Sequence, residues 1–255
     1  MNIEHSLQED LDVAHASSSL LKMNMDKCVA MHFGGGKMGP GIMLGDRESS
    51  VVSEFRDLGV IVDSGLRFHQ HIGTICGRAS AMMGELLRST VCRSADFMVT
   101  LFTTHIRSTL EYCSSVWNVG YLGDARKLER LQRRWTKEIH DMERLDYPTR
   151  LRRLSLFSIH GRLLRKDLIK VWKAFNEHDV GLSDLFEMAR DGRTRGHRFK
   201  MSIPVCRGDL RRRFFSVRVV SDWNSLPAEV VESQTVETFK GRLQGFLGDR
   251  LYESV

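Results

Sequence analysis

The spacing of hydrophobic and polar positions changes period along this chain, and the change divides it. Near the start, Leu7, Leu11 and Ala14 predict a short helix over 6–16. Alternation through Lys27, Cys28, Val29, Ala30, Met31, His32 and Phe33 predicts a strand that meets a turn at Gly34-Gly35-Gly36. A second apolar run over 55–63, with Leu58, Val60, Ile61 and Val62, predicts another strand, stopped by Asp63-Ser64-Gly65. So few strands do not close a core alone, so residues 1–65 are expected to form the edge of something larger.

From His69 onward the period becomes helical. Ile72, Ile75, Ala79, Met82, Met83 and Leu86 share one face over 71–89. Ser94 is placed to cap a helix running to about Tyr112, with Phe97, Leu101, His105 or Ile106, and Leu110 turned inward. Leu128, Leu131, Trp135 and Ile139 mark a helix over 123–140. Pro148 opens a short helix that buries Leu151 and Leu154. Leu164, Leu168, Val171, Trp172 and Phe175 mark another over 160–177. After Gly181 the pattern is irregular, strand-like over 198–203, and recovers as a terminal helix over 235–247. The expected fold is mainly α: a helical bundle over 66–180, a small β-containing part over 1–65, and an irregular basic extension over 181–255.

Composition adds little until it is divided. Across 255 residues, 38 Lys+Arg stand against 32 Asp+Glu, a net charge of +6. Residues 1–63 carry 5 basic and 10 acidic side chains, whereas 64–255 carry 33 and 22. Two windows, 124–175 and 190–218, each hold an excess of 8 cations, so the basic charge is concentrated. No run approaches eighteen apolar residues, which excludes a membrane-spanning helix. The start has neither a basic nor an apolar stretch, so no secretory leader is expected. Five cysteines (Cys28, Cys76, Cys92, Cys113, Cys206) are odd in number and show no C-x-x-C spacing. Reduced thiols in an intracellular, cytoplasmic or nuclear protein fit that pattern.

The concentrated charge falls on helix faces. Arg126, Arg130, Arg133, Arg134 and Lys137 lie at i, i+4, i+7, i+8 and i+11, opposite the Leu128, Leu131 and Trp135 stripe. Arg162, Lys166, Lys170 and Lys173 repeat the arrangement on the helix over 160–177, and Arg211-Arg212-Arg213 adds a third group. A basic surface of this kind suits a phosphate backbone, where each neutralised phosphate releases counterions. The plain alternative is a solvated face that keeps the bundle soluble. Few acidic residues interleave with these cations to form i,i+4 pairs, which favours the first reading.

Enzyme motifs are absent. Gly34-Gly35-Gly36-Lys37 lacks the glycine a phosphate loop needs where Met31 stands, and the hydroxyl residue it needs where Met38 stands. His69 and His71 lie about 200° apart on a helix and have no third ligand nearby, so no metal site is expected. His197 is placed as a loop residue able to touch a phosphate. No Asp-Asp pair occurs, and the only adjacent acids are Glu9-Asp10. A two-metal site needs converging carboxylates, and no such set is apparent.

A series of short segments nevertheless resembles one family. Leu7-Gln8-Glu9-Asp10-Leu11-Asp12 and the stretch from Met23 to Gly34 look like the palm segment that follows the catalytic aspartates in reverse transcriptases of non-LTR (LINE, jockey-like) retrotransposons. Phe55-Arg56-Asp57-Leu58-Gly59-Val60-Ile61-Val62-Asp63 resembles their primer-grip turn. Leu66-Arg67-Phe68-His69-Gln70-His71-Ile72 with Ala79-Ser80 resembles the opening of the thumb. Leu110-Glu111-Tyr112-Cys113-Ser114-Ser115-Val116-Trp117 and Leu128-Glu129-Arg130-Leu131-Gln132-Arg133-Arg134 resemble its body. Arg193-Thr194-Arg195-Gly196-His197 and the run from Phe214 to Pro227 resemble the C-terminal extension. Each motif alone is short; their order and spacing carry the resemblance.

The resemblance implies a palm end with primer-grip turn over 1–65, a helical thumb over 66–180 and a C-terminal extension over 181–255. It implies that Lys27 lies near the incoming triphosphate, and that Leu58 and Gly59 hold the primer end. The arginine faces would hold an RNA–DNA template–primer by its backbone without reading bases. The four tryptophans would stack on nucleotides or anchor the core. The family's catalytic aspartate pair would lie upstream of Met1, so the chain is expected to be a fragment that does not polymerise alone. Mg2+ would belong only to the full enzyme, and the missing palm and fingers half would be a partner. Where the family carries tryptophans, in the segment matching 14–21, this chain has Ser17-Ser18-Ser19. A different class, a helical protein-interaction module, predicts no nucleic-acid affinity and an exposed apolar docking surface.

Overall fold

The computed structural model describes residues 13, 24–34, 41–44, 46–177, 180–189 and 197–254. The chain forms two compact units, Met1–Phe68 and His69–Val255. The helix expected over 6–16 falls, Val13 apart, outside the described residues, as does Arg193 to Gly196.

In the first unit the strands are short and paired in twos. β1 (Val29–Ala30) runs parallel to β4 (Ser50–Val51), and β2 (Met43–Leu44) pairs antiparallel with β3 (Arg47–Glu48). The strand expected over 27–33 thus shrinks to two residues, preceded by a 3-10 turn, Met25–Lys27. The strand expected over 55–63 is a hairpin: β5 (Glu54–Asp57) pairs with β6 (Val60–Asp63). Leu58 and Gly59 form its two-residue turn, with φ of 44° and 89°. Two positive φ values match the right-handed twist of the flanking strands, and glycine adopts the second without steric cost. β6 ends where the Asp63 carboxylate turns back to accept the backbone N–H groups of Gly65, Arg67 and Phe68.

The second unit is helical. α1 (His69–Ser89) buries Ile72, Ile75, Ala79 and Met83 on one face, while Met82 is turned outward. The next helix consists of α2 (Ala95–Leu101), a π turn (Phe102–Ile106) and α3 (Arg107–Glu111). Its buried residues are Met98, Phe102, Ile106 and Leu110, each fully excluded from solvent. Phe97, expected inward, is exposed, and of the alternatives His105 and Ile106 it is Ile106 that is buried. Four apolar residues at uniform i+4 steps drift about 40° per step around a regular helix. A π turn takes up one extra residue and brings them back to one side.

After α4 (Ser114–Trp117), α5 (Leu122–Lys137) packs against α1 and buries Leu128, Leu131 and Trp135. α6 (Tyr147–Arg153) begins at Asp146, which accepts the Thr149 N–H at 3.2 Å, with Pro148 in its first turn. α7 (Ile159–Asn176) begins at Ser158, whose Oγ accepts the Gly161 N–H at 2.9 Å. α7 then contributes Leu168, Val171 and Trp172 to a second core, shared with the residues beyond 181.

That stretch contains α8 (Val180–Ser183), α9 (Asp209–Arg212), α10 (Phe215–Arg218), α11 (Val220–Asn224), α12 (Ala228–Val231) and α13 (Val236–Leu247). The strand expected over 198–203 is reduced to one bridge, Met188 to Met201. Trp172 stacks on Phe239 with centroids 5.4 Å apart, and Trp223 donates its indole N–H to Phe199 O at 2.8 Å. The fold is therefore mainly α with a small β part. Trp117, Trp135, Trp172 and Trp223 are all buried and serve the core.

Candidate nucleic-acid interface

α5 turns its apolar stripe inward, so the opposite side faces water. Arg126, Arg130, Arg133, Arg134 and Lys137 are all exposed there. At about 100° per residue they fall within an arc of roughly 100°, and eleven residues at 1.5 Å set their ends about 16 Å apart. One strand of a duplex presents about five phosphates over that length, at about 3.4 Å of axis each. Arg126, Arg130 and Arg133, with Glu129, line a cleft of about 270 Å³. Among the described residues no carboxylate pairs with Arg126, Arg130, Arg134 or Lys137, whereas neighbouring Lys127 is paired with Asp124 at 2.9 Å. Arg133 is partly engaged: it lies over the Tyr147 ring at 4.8 Å and donates to Ser254 Oγ.

Glu129 breaks the run of cations by turning inward. Its carboxylate accepts the Tyr147 O–H and the N–H groups of Ile159 and His160, both at 3.2 Å, and so caps α7 from a neighbouring helix. Burial raises its pKa above the ordinary carboxylate value, against those hydrogen bonds. The Tyr147 hydroxyl is raised as well, by burial and then by Glu129, and stays a donor. Arg150 fastens α6 to the end of α5 by donating to Thr136 Oγ1 and the carbonyls of Arg133 and Leu145. The exposed cations thus stand on a helix tied to α7 at its middle and to α6 near its C-terminal end.

The second expected stripe is arranged differently. Arg162 grips the Glu111 carboxylate with both Nε and Nη2, and Lys166 donates to the Glu111 carbonyl. Lys170 donates to Ser115 Oγ at 2.9 Å and lies over the Phe215 ring. Lys173 pairs with Glu177 at 3.1 Å. The spacing marks a cationic face, but that face is occupied by the segment from Glu111 to Ser115. In the third group, Arg213 pairs with Asp209, donates to the carbonyls of Val119 and Gly120, and stacks on Tyr121 at 4.1 Å. Only Arg211 and Arg212 of that group are exposed. Of the three expected surfaces, α5 alone is both continuous and largely unpaired.

In the first unit, Lys27 is exposed at the rim of a cleft of about 480 Å³ whose lining includes Val29, Phe33, Phe55, Asp57 and Val62. Leu58 is 83% exposed at the hairpin tip, in a backbone region that disfavours a side chain. His69 bonds to the buried Asp124 carboxylate and lies tilted against the Tyr121 ring, while His71 packs beside Trp117. His197, expected in a loop able to touch phosphate, is buried edge-on against Trp223, and that burial lowers its pKa.

Sequence reasoning missed Glu129 and the buried pair formed by Asp167 and Arg218, which joins α7 to α10. Asp167 has one signal in the sequence: it precedes Leu168 on the apolar side of α7. Among the described residues no group of three or more His, Cys, Asp or Glu side chains is placed to hold a metal ion, and no helix is long and apolar enough to cross a membrane. No protein-family model, curated protein or solved structure matches this chain.

Proposed function

We propose that the helical unit binds nucleic acid through the sugar-phosphate backbone, using the exposed face of α5. The observation that carries this reading is the set of Arg126, Arg130, Arg134 and Lys137, four exposed cations on one arc with no carboxylate partner among the described residues. Cations held for structure normally find an acid, as Arg162 and Arg213 do; these four do not. Rigid support from the Glu129 cap and the Arg150 staple favours a duplex, whose phosphates have fixed spacing. Backbone contacts of this kind position a duplex without reading its sequence.

The sequence resemblance extends the reading. The chain would be palm-end, thumb and C-terminal extension of a non-LTR retrotransposon reverse transcriptase, gripping RNA–DNA template–primer during RNA-directed DNA synthesis. The exposed Leu58-Gly59 turn is compatible with a primer grip, and Lys27 at the rim of the 480 Å³ cleft with a triphosphate neighbour. The chain has no Asp-Asp pair, so polymerisation would need a partner half that supplies the aspartates and their Mg2+.

The test is hybrid affinity against salt. Each lost phosphate contact lowers the slope of log K against log salt by about 0.7–0.9. Changing Arg126, Arg130, Arg134 and Lys137 to Gln is expected to reduce the slope by about 3 and leave the fold intact. A slope unchanged from wild type refutes the α5 assignment. Absence of hybrid binding by the wild type leaves the interaction-module reading in its place.

A further inference from the structure

A second concentration of positive charge lies away from α5, where α3 meets α7. α3 contributes Arg107 and Glu111; α7 contributes Arg162, Arg165 and Lys166. Among the described residues, Glu111 is the single carboxylate paired to this group. Arg162 grips it with two N–H groups, and Arg107 Nε stands 3.9 Å from the same oxygen. Lys166 reaches only the Glu111 backbone carbonyl. Asp167, the next acid on α7, is held by Arg218. Arg165 has no acidic partner among the described residues: its Nη2 approaches the Lys240 carbonyl at 3.5 Å, and its Nε is buried without a hydrogen bond.

Two half-buried guanidiniums, Arg107 and Arg162, therefore share one carboxylate, and a third, Arg165, stands one turn along α7 from Arg162 with none among the described residues. Burial and the nearby Arg162 charge both push the Arg107 and Arg165 groups below the usual arginine value. A fold selected only for stability would place a second acid here or lose an arginine. The π turn bears on the same point. An extra residue at Phe102–Ile106 rotates all that follows by about 100°, which brings Arg107 and Glu111 round to α7. Such turns recur at functional sites.

The geometry points to a phosphate-binding site formed by Arg107, Arg162 and Arg165. Guanidinium forks match the oxygen spacing of a tetrahedral oxyanion and bind it with paired charge-assisted hydrogen bonds. The ligand class is a phosphate dianion, either inorganic phosphate or a terminal phosphate monoester. The α5 face contributes no residue, so this site stands or falls independently of backbone binding there.

The experiment is isothermal titration of the full chain with inorganic phosphate, at fixed ionic strength maintained with chloride. A second arm compares a short 5′-phosphorylated oligonucleotide with its 5′-hydroxyl form. Saturable binding of phosphate is expected, and Arg165→Gln should weaken it about tenfold, as loss of one charge-assisted contact does. Arg107→Gln should act likewise, with far-ultraviolet dichroism showing that both variants remain folded. The α5 quadruple Gln variant should bind phosphate as the wild type does. If the 5′-phosphate form alone binds, the ligand is a monoester; if both phosphate ligands bind, the site takes the free anion. Absence of saturable heat with either phosphate ligand overturns the site. So does a folded Arg165→Gln variant that binds like the wild type.

Discussion

Gly161 offers a test in which two physical effects have opposite signs. It lies in the first turn of α7, and a Cβ added there would meet Leu251 O at 2.6 Å, Cα at 2.7 Å and C at 2.8 Å. All three atoms are backbone, so no rotamer change relieves the contact. Helix propensity alone favours Gly161→Ala by about 1 kcal/mol. Against it, the chain at Leu251 would have to retreat by about 0.8 Å to reach an ordinary 3.4 Å contact. That retreat weakens the bonds to Leu251 O from Ser158 N, at 2.8 Å, and from Ser158 Oγ, at 3.1 Å. Two weakened hydrogen bonds cost about 1 kcal/mol each, and overpacking costs about 1–3 kcal/mol more. The net effect is a loss of about 2–4 kcal/mol, or about 4–16 °C in Tm at about 2–4 °C per kcal/mol. Gly245 on α13 is the control, because nothing lies within 4 Å of its Cβ position. Gly245→Ala should raise Tm by about 2–4 °C. Tryptophan fluorescence reads both, since all four tryptophans lie in this unit. If Gly161→Ala melts at or above the wild type, α7 is not seated on the Leu251 backbone.

Two further predictions concern titrating groups. Burial holds the Glu129 carboxyl above 4.5, so the folded chain binds that proton more tightly than the unfolded one. Its contribution is complete below about pH 4.5 and declines as pH rises through the folded value. Urea melts from pH 4 to 8 should therefore show the wild type losing stability relative to Glu129→Gln; a gap that moves the other way contradicts the assignment. Among the thiols, Cys76 is pushed up to about 11 by burial, whereas exposed Cys92 is lowered by the Ser94 hydroxyl. At pH 8 only about one Cys76 in a thousand is thiolate. Iodoacetamide should label Cys92 first by mass spectrometry, and Ser94→Ala should slow that reaction; equal rates for the two cysteines would be inconsistent with this.

Helical period found α1, α5 and α7 because their apolar stripes are long and regular. It turned Phe97 inward, whereas the neighbouring Met98 starts the buried row, and it left His105 and Ile106 as alternatives because the π turn that selects Ile106 is marked by no local residue pattern. Residues 55–63 show a single apolar run, although a primed turn at Leu58-Gly59 divides it. Glycine was the visible cue there, and Leu58 at positive φ was not predictable from side-chain preference. Charge spacing located both cationic helices, but spacing reports a face and not its occupant. Arg162, Lys166 and Lys170 find Glu111 and Ser115 across 51–55 residues of chain, a distance that periodicity does not cover. Glu129 carries no mark in the sequence of its inward turn, because its donors Tyr147, Ile159 and His160 lie 18–31 residues further along the chain.

The clasp between Ser158 and Leu251 also sets an order of events during synthesis. The two residues are 93 positions apart, and Glu253 accepts a further bond from the same serine. Translation at about 5–20 residues per second leaves about 5–20 s between making Ser158 and making Leu251. Throughout that interval the first turn of α7 has its Glu129 cap but lacks the Leu251 backbone it packs on, and the side of Leu168, Val171 and Trp172 waits for α11 to α13. The helical unit therefore completes late, and its nascent form exposes an apolar surface that the finished protein conceals.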